Sequence, residues 1–237
     1  MDMQQIARLK CLLEQAKFAV FFGGAGMSTE SGIPDFRSST GLYSDADNEY
    51  AMSRQCLKAE PERFFQFFRT KMLYPDAQPN AAHRALARLE QDGKLKGIIT
   101  QNIDELHQKA GSRNVIEIHG TAIRSYCQRC GKLYLSADVA HEEVPRCVAC
   151  GGIVRPDVVL YGEGLDAERF EAARDLIAQA DLLIVGGTSL TVYPAASLVA
   201  DFEGQHLVIV NKGPTGLDGM AELIIRESVS EVFSGLI

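Results

Sequence analysis

Short runs of consecutive apolar residues alternate along this chain with stretches whose apolar positions recur every three to four residues. The runs at 17–22 (KFAVFF), 95–100 (LKGIIT), 114–119 (NVIEIH), 157–161 (DVVLY), 181–187 (DLLIVGG) and 206–211 (HLVIVN) are rich in Val and Ile, and 222–226 (ELIIR) is a weaker example. Runs this evenly apolar predict central strands covered on both faces, because a strand with one wet face alternates. Between them, 62–73, 81–91 and 166–179 carry apolar residues at helical spacing. Pro61 and Pro79 stand near the starts of the first two, and Asp166 is placed to cap the third. Strand–helix alternation predicts an α/β fold, a doubly wound, Rossmann-like parallel sheet built from right-handed crossovers. The pattern breaks between about Thr121 and Pro156. Residues 121–156 therefore read as a small module inserted between 1–120 and 157–237, with a helical 40–75 segment packing beside it.

Composition narrows the picture. With 46% hydrophobic and 23% charged residues, the chain matches an ordinary globular protein. No apolar run approaches the ~20 residues that cross a bilayer. The charged, amphipathic start lacks the apolar core of a signal peptide, so a cytoplasmic protein without a membrane partner is expected. A net charge of -7 argues against a nonspecific grip on nucleic acid. A monomer is compatible with everything above.

Four of the six cysteines, Cys127, Cys130, Cys147 and Cys150, form two C-x-x-C pairs. Two residues between ligands aim both thiolates of a knuckle at one metal, and a second knuckle completes the tetrahedron. Four protein ligands make a closed, structural zinc site rather than a catalytic one. Four ordinary buried cysteines are the bland alternative.

The remaining candidates sit where strands end, the ligand-binding edge of an open parallel sheet. Gly23 and Gly24 close the first strand. Gly26 is read as allowing backbone to approach a phosphate, and Ser28 and Thr29 as capping a following helix. The acids about twenty residues on, Asp45 and Asp47, lie in a polar, strandless stretch, which argues against a conventional dehydrogenase. Gln101, Asn102 and Asp104 follow the second strand, where a plain helix cap is an equal reading. His119 ends the third, placed as a general base, although a lone histidine is more often structural. GGTSL, with Gly187, Thr188 and Ser189, and then Asn211, end two later strands. Each alone is ordinary turn chemistry.

Taken in order, GAGMSTESGIPDFR, TQNIDELH, the HG after a strand, the paired cysteines, RPDVVLYGE and GTSLTVYPA resemble the sirtuins, the NAD-dependent protein deacylases, from about Lys17 to Asn211. The resemblance implies NAD as co-substrate, one structural zinc, and removal of acetyl from lysine to give nicotinamide and O-acetyl-ADP-ribose. It implies His119 as the base and Asn102 as an orienting group. Gly24, Ala25, Gly26 and Thr29 would serve the phosphates and ribose, with Phe36 and Arg37 in a covering loop. Gln101, Ile103 and Asp104 would hold the nicotinamide end, and Gly187, Thr188, Ser189, Asn211 and Val229 the adenosine half. An acetyl-lysine peptide would add as a strand beside Val159, Leu160 and Tyr161 and the segment after Ser189.

Departures from the family pattern bear on specificity. Tyr161 stands where many relatives have phenylalanine. Relatives that prefer acidic acyl groups carry a tyrosine and an arginine separated by two residues, whereas Tyr50 and Arg54 are separated by three; neutral acyl groups are expected. Rival readings stay distinguishable. An ADP-ribosyltransferase would add mass to its target, a zinc-ribbon module binding nucleic acid would be salt-sensitive, and a dehydrogenase would reduce NAD.

Overall fold

The computed structural model describes residues 2–35 and 46–236. Phe36 and Arg37, expected in the covering loop, lie outside the described residues. In chain order the strands are β1 (Ala19–Gly23), β2 (Leu95–Thr100), β3 (Val115–Glu117), β4 (Gly120–Cys127), β5 (Leu133–Leu135), β6 (Val154–Val158), β7 (Leu182–Gly186), β8 (His206–Val210) and β9 (Leu223–Ile225). Among the described residues, six form one sheet in the order β3-β2-β1-β7-β8-β9. Every pairing in it is parallel. This is the doubly wound order, with its reversal point between β1 and β7.

The evenly apolar runs have the expected cause. Every residue of β1 and β7 is buried, because helices cover both faces. Phe21, with Ile98, Ile184 and Val208, packs on one face against Leu9 and Leu12 of helix Met3–Gln15, Leu86 of helix Ala81–Gln91 and Phe233 of helix Val229–Ser234. Val20 and Phe22, with Ile99, Val185 and Ile209, pack on the other against Leu176 and Ile177 of helix Ala167–Ala178. Phe21 and Phe22 are fully buried, which contributes roughly 1.5–3 kcal/mol each. None of the described helices is long and apolar enough to cross a membrane.

The run at 157–161 departs from expectation. It does not join the large sheet. β6 starts earlier, at Val154, and pairs antiparallel with β4, which pairs antiparallel with β5. Its apolar residues are buried against a third cluster instead. Val158 and Leu160 pack on Met52, Leu57, Phe64, Phe65, Phe68 and Met72. Helical segments between 46 and 72 thus cover the base of the small sheet and bring Met52 and Met72 beside the end of β6.

Candidate active site

The β1–β7 reversal point is closed by backbone. The amide of Gly24 donates to Gly186 O (3.2 Å), that of Gly26 to Gly187 O (2.8 Å), and that of Gln101 to Gly23 O (2.9 Å). Gly187 has φ +62°, and a Cβ there would lie 2.5 Å from the Met27 nitrogen; one on Gly26 would lie 2.7 Å from Gly187 Cα. The two loops are therefore glycine because they interlock with each other. This adds a packing reason for glycine at position 26 beside the expected approach to a phosphate. The cap expectation is corrected. Ala25–Met27 and Thr29–Ser31 are single 3₁₀ turns, and Ser28 makes no capping bond.

Ser28 does something else. Its hydroxyl donates to Asp104 Oδ2 (2.6 Å) and accepts from Asn102 Nδ2 (3.0 Å). The Asn102 backbone N–H in turn donates to Thr100 Oγ1, and Leu106 N–H donates to Asp104 Oδ1. Burial pushes the Asp104 carboxyl up from its ordinary range, and these donors offset part of the rise. Glu105 is held at φ +58°, with its carboxylate accepting from Thr121 Oγ1. The run after β2 is thus pinned to the glycine loop at one end and to β4 at the other. Sequence reading assigned Ser28 only to a cap; its position two residues after Gly26 was the available signal.

His119 follows β3. Its Nδ1 lies 2.9 Å from Gln101 O. A carbonyl only accepts, so the proton sits on Nδ1 and the neutral ring offers Nε2 as its basic atom. The His119 carbonyl accepts from Val159 N–H (2.9 Å), coupling it to the segment after β6.

Two strand positions earlier, burial raises the Glu117 carboxyl to about 7, and its Oε1 has no hydrogen-bond partner. The folded-state value lies above the unfolded one. The native state therefore binds more protons between pH 4.5 and 7, and stability is lost as pH rises through that window. Glu117→Gln should remove about 2–3 kcal/mol of this dependence. Urea titrations of both proteins at pH 5 and pH 8 would show it as a gain for the variant at pH 8 only; parallel changes would refute it.

One cavity of about 730 Å³ gathers most candidates. Ala25, Gly26, Thr29, Gln101, Asn102, Ile103, His119, Val159, Leu160, Tyr161, Gly187, Thr188, Ser189, Asn211 and Val229 all line it. Its size suits a small-molecule ligand. Asp104 is not among them. It faces an adjoining cavity of about 400 Å³ that also meets Ala25, Asn102 and Ile103. Gly24 packs behind the cavity wall, where a Cβ would lie 2.7 Å from Thr188 Cβ. Met52 and Met72 also line the larger cavity, beside Val158 and Leu160; helical spacing alone gave no sign that they would.

The segment after β6 is already engaged. The amides of Leu160 and Tyr161 donate to Glu163 Oε2 (3.0 Å) and Met52 O (3.1 Å), and Arg54 N–H donates to Tyr161 O (2.9 Å). Tyr50 is turned away, its hydroxyl on Glu60 (2.7 Å) and its ring under Arg63.

In the small module the sulfurs of Cys127, Cys130, Cys147 and Cys150 all lie within 4.8 Å of one another. The Cys127–Cys150 and Cys130–Cys147 separations are 3.5 and 3.6 Å. Four thiolates at about 2.3 Å from zinc stand about 3.8 Å apart, so the donor set fits that ion. Tyr134 OH donates to Cys147 Sγ (3.1 Å), orienting one ligand.

A model of the Sir2 family matches residues 24–194. This chain is similar to an "NAD-dependent protein deacetylase" of Clostridium acetobutylicum, 50% identical over 242 aligned positions covering 99% of each chain. It is similar in structure to a Sir2 bound to acetylated peptide, with a TM-score of 0.88 at 39% identity over 98% of this chain and 96% of that one. It is likewise similar to a Sir2 with p53 peptide and NAD+, with a TM-score of 0.87 at 39% identity over the same shares.

Proposed function

The chain belongs to the Sir2 family, and from that premise we propose an NAD-dependent protein lysine deacetylase working in the cavity beside His119. The observation that carries this reading is the convergence of the segments that follow β1, β2, β3, β6, β7, β8 and β9 on one cavity at the β1–β7 reversal point. When bound, NAD supplies a glycosidic bond whose cleavage releases nicotinamide and a ribose that takes up the acetyl group. His119 takes a proton at Nε2 from a ribose hydroxyl, its ring fixed by the Nδ1–H bond to Gln101 O. Asn102, with its Nδ2 held by Ser28, lines the cavity as the group that would orient a ribose hydroxyl or water.

Ala25, Gly26 and Thr29 serve the phosphates, and Gly24 shapes the loop. Gln101, Ile103 and Asp104 hold the nicotinamide end, the last from the adjoining cavity. Gly187, Thr188, Ser189, Asn211 and Val229 take the adenosine half. Phe36 and Arg37 are assigned to the covering loop on family resemblance. Cys127, Cys130, Cys147 and Cys150 hold zinc, which keeps residues 121–156 as one wall and takes no part in the chemistry. Residues 1–120 and 157–237 supply the NAD domain, except that the helical 46–72 segment and the end of β6 pack with the small module. Reduced thiolate knuckles agree with a cytoplasmic setting.

The acyl-peptide lies along Val159–Tyr161 as an added strand. With the amides there engaged, it pairs through carbonyls or by exchange of bonds. The apolar wall of Met52, Met72, Val158 and Leu160, with Tyr50 turned outward, supports neutral acyl groups.

The test is mass spectrometry of an acetyl-lysine peptide with the protein, with and without NAD. NAD-dependent loss of acetyl with release of nicotinamide is expected, and slower loss from a succinyl-lysine peptide. A gain of ADP-ribose on the protein or peptide would overturn it in favour of transfer.

A further inference from the structure

We propose that the partly buried Arg155–Glu163 ion pair is a positioning device for the acyl-peptide, fixing the segment between β6 and residue 163 against three separate parts of the fold. The proposal rests on the reading that this segment receives the peptide. The Arg155 side chain is only 3% exposed. Its two terminal nitrogens meet both Glu163 oxygens, at 2.6 and 3.1 Å. The same guanidinium donates to Val158 O (2.5 Å) and Pro156 O (3.2 Å), and stands over the Tyr126 ring of β4 at 5.7 Å. Glu163 Oε2 also accepts from Leu160 N–H (3.0 Å), and Glu163 N–H donates to Leu160 O (2.9 Å).

The pair thus closes the loop on itself. Val158 and Leu160 are gripped from inside by one planar fork and one carboxylate. From outside, Val159 N–H binds His119 O, and Tyr161 binds Met52 and Arg54. A loop held on both sides presents Val159 and Leu160 to the cavity in one geometry, so less ordering remains when a peptide docks. The pair lines up the small sheet, the helical cover and the His119 backbone without touching the reacting atoms.

The test uses Glu163→Ala, Glu163→Asp and Glu163→Gln. In Glu163→Ala the peptide KM should rise about tenfold or more while the NAD KM stays within about twofold. Glu163→Asp keeps the charge but shortens the reach, and should move the same way if the alanine variant fails to fold. Glu163→Gln keeps an acceptor for Leu160 N–H but turns an amide NH2 toward Arg155, so peptide KM should rise severalfold, less than in the alanine variant, which separates the ion pair from the single acceptor. Amide exchange at Leu160 and Tyr161 should quicken in the alanine and aspartate variants, and to a smaller extent in the glutamine variant.

Parallel rises in both KM values, or an unchanged peptide KM, would overturn the proposal. Unchanged amide exchange would do the same. Were the parent protein inactive on acyl-peptides, the functional reading would fall, and the exchange result would still decide whether the pair orders the loop.

Discussion

Replacing His119 by alanine should lower turnover of an acetyl-lysine peptide by about 10²–10⁴-fold, the range for losing a positioned general base. Affinities for NAD and peptide should change little, because the ring contributes one side of a cavity lined by many residues. The expectation rests on geometry. The Nδ1 contact with Gln101 O fixes both tautomer and ring plane, and the His119 carbonyl anchors the peptide segment through Val159. Backbone bonding survives the substitution, so the loss falls on kcat. Paired measurements of kcat and of NAD binding by calorimetry check this. A variant keeping a tenth of the parent rate, or losing NAD binding in proportion to activity, would remove His119 from the role of base.

Stripping the zinc should have the second large effect. Binding at a structural four-cysteine site is worth about 10–16 kcal/mol of folding free energy at neutral pH. The module's own apolar cluster is small: Cys127, Val139, Cys147 and Val154 are its buried members. Without metal, β4–β6 should lose protection from amide exchange while β1 and β7 keep theirs. Deacetylation should fall to background, since β6 leads directly into the peptide segment. A chelator titration with a colorimetric zinc dye should release one zinc per chain in step with the loss, and added zinc should restore activity. Full activity after complete release would show that the module folds without its ion.

How much of this could be read from the sequence depends on the range of the forces concerned. β1 and β7 were legible because strands covered on both faces are apolar throughout, a local consequence of a global position. The cysteine knuckles were legible because metal geometry fixes short spacings. The run at 157–161 was misread because burial against the helices at 46–72 leaves the same apolar signature as burial in a parallel sheet. The packing reason for Gly26 was hidden, since its close neighbour, Gly187, is 161 positions away and no spacing rule joins them. Ser28 looked like a cap because a hydroxyl after a glycine turn usually is one. Its partners, Asn102 and Asp104, come from another strand end. Arg155 and Glu163 stood in plain view in RPDVVLYGE, yet only the fold shows that they face each other.

The central place of β1 also governs when the site comes into being. β1 pairs with β2 at Ala19↔Leu95 and with β7 at Ala19↔Leu182, so its second partner leaves the ribosome long after it does. Pairings of such separation close slowly, after a large loop entropy has been overcome. The small sheet closes over a far shorter loop, Cys127↔Val154, and its four thiolates are all synthesised before β7. During synthesis the metal module is therefore complete while the catalytic cleft is still half a sheet, and β1, apolar on both faces, waits exposed on one edge for its late partner.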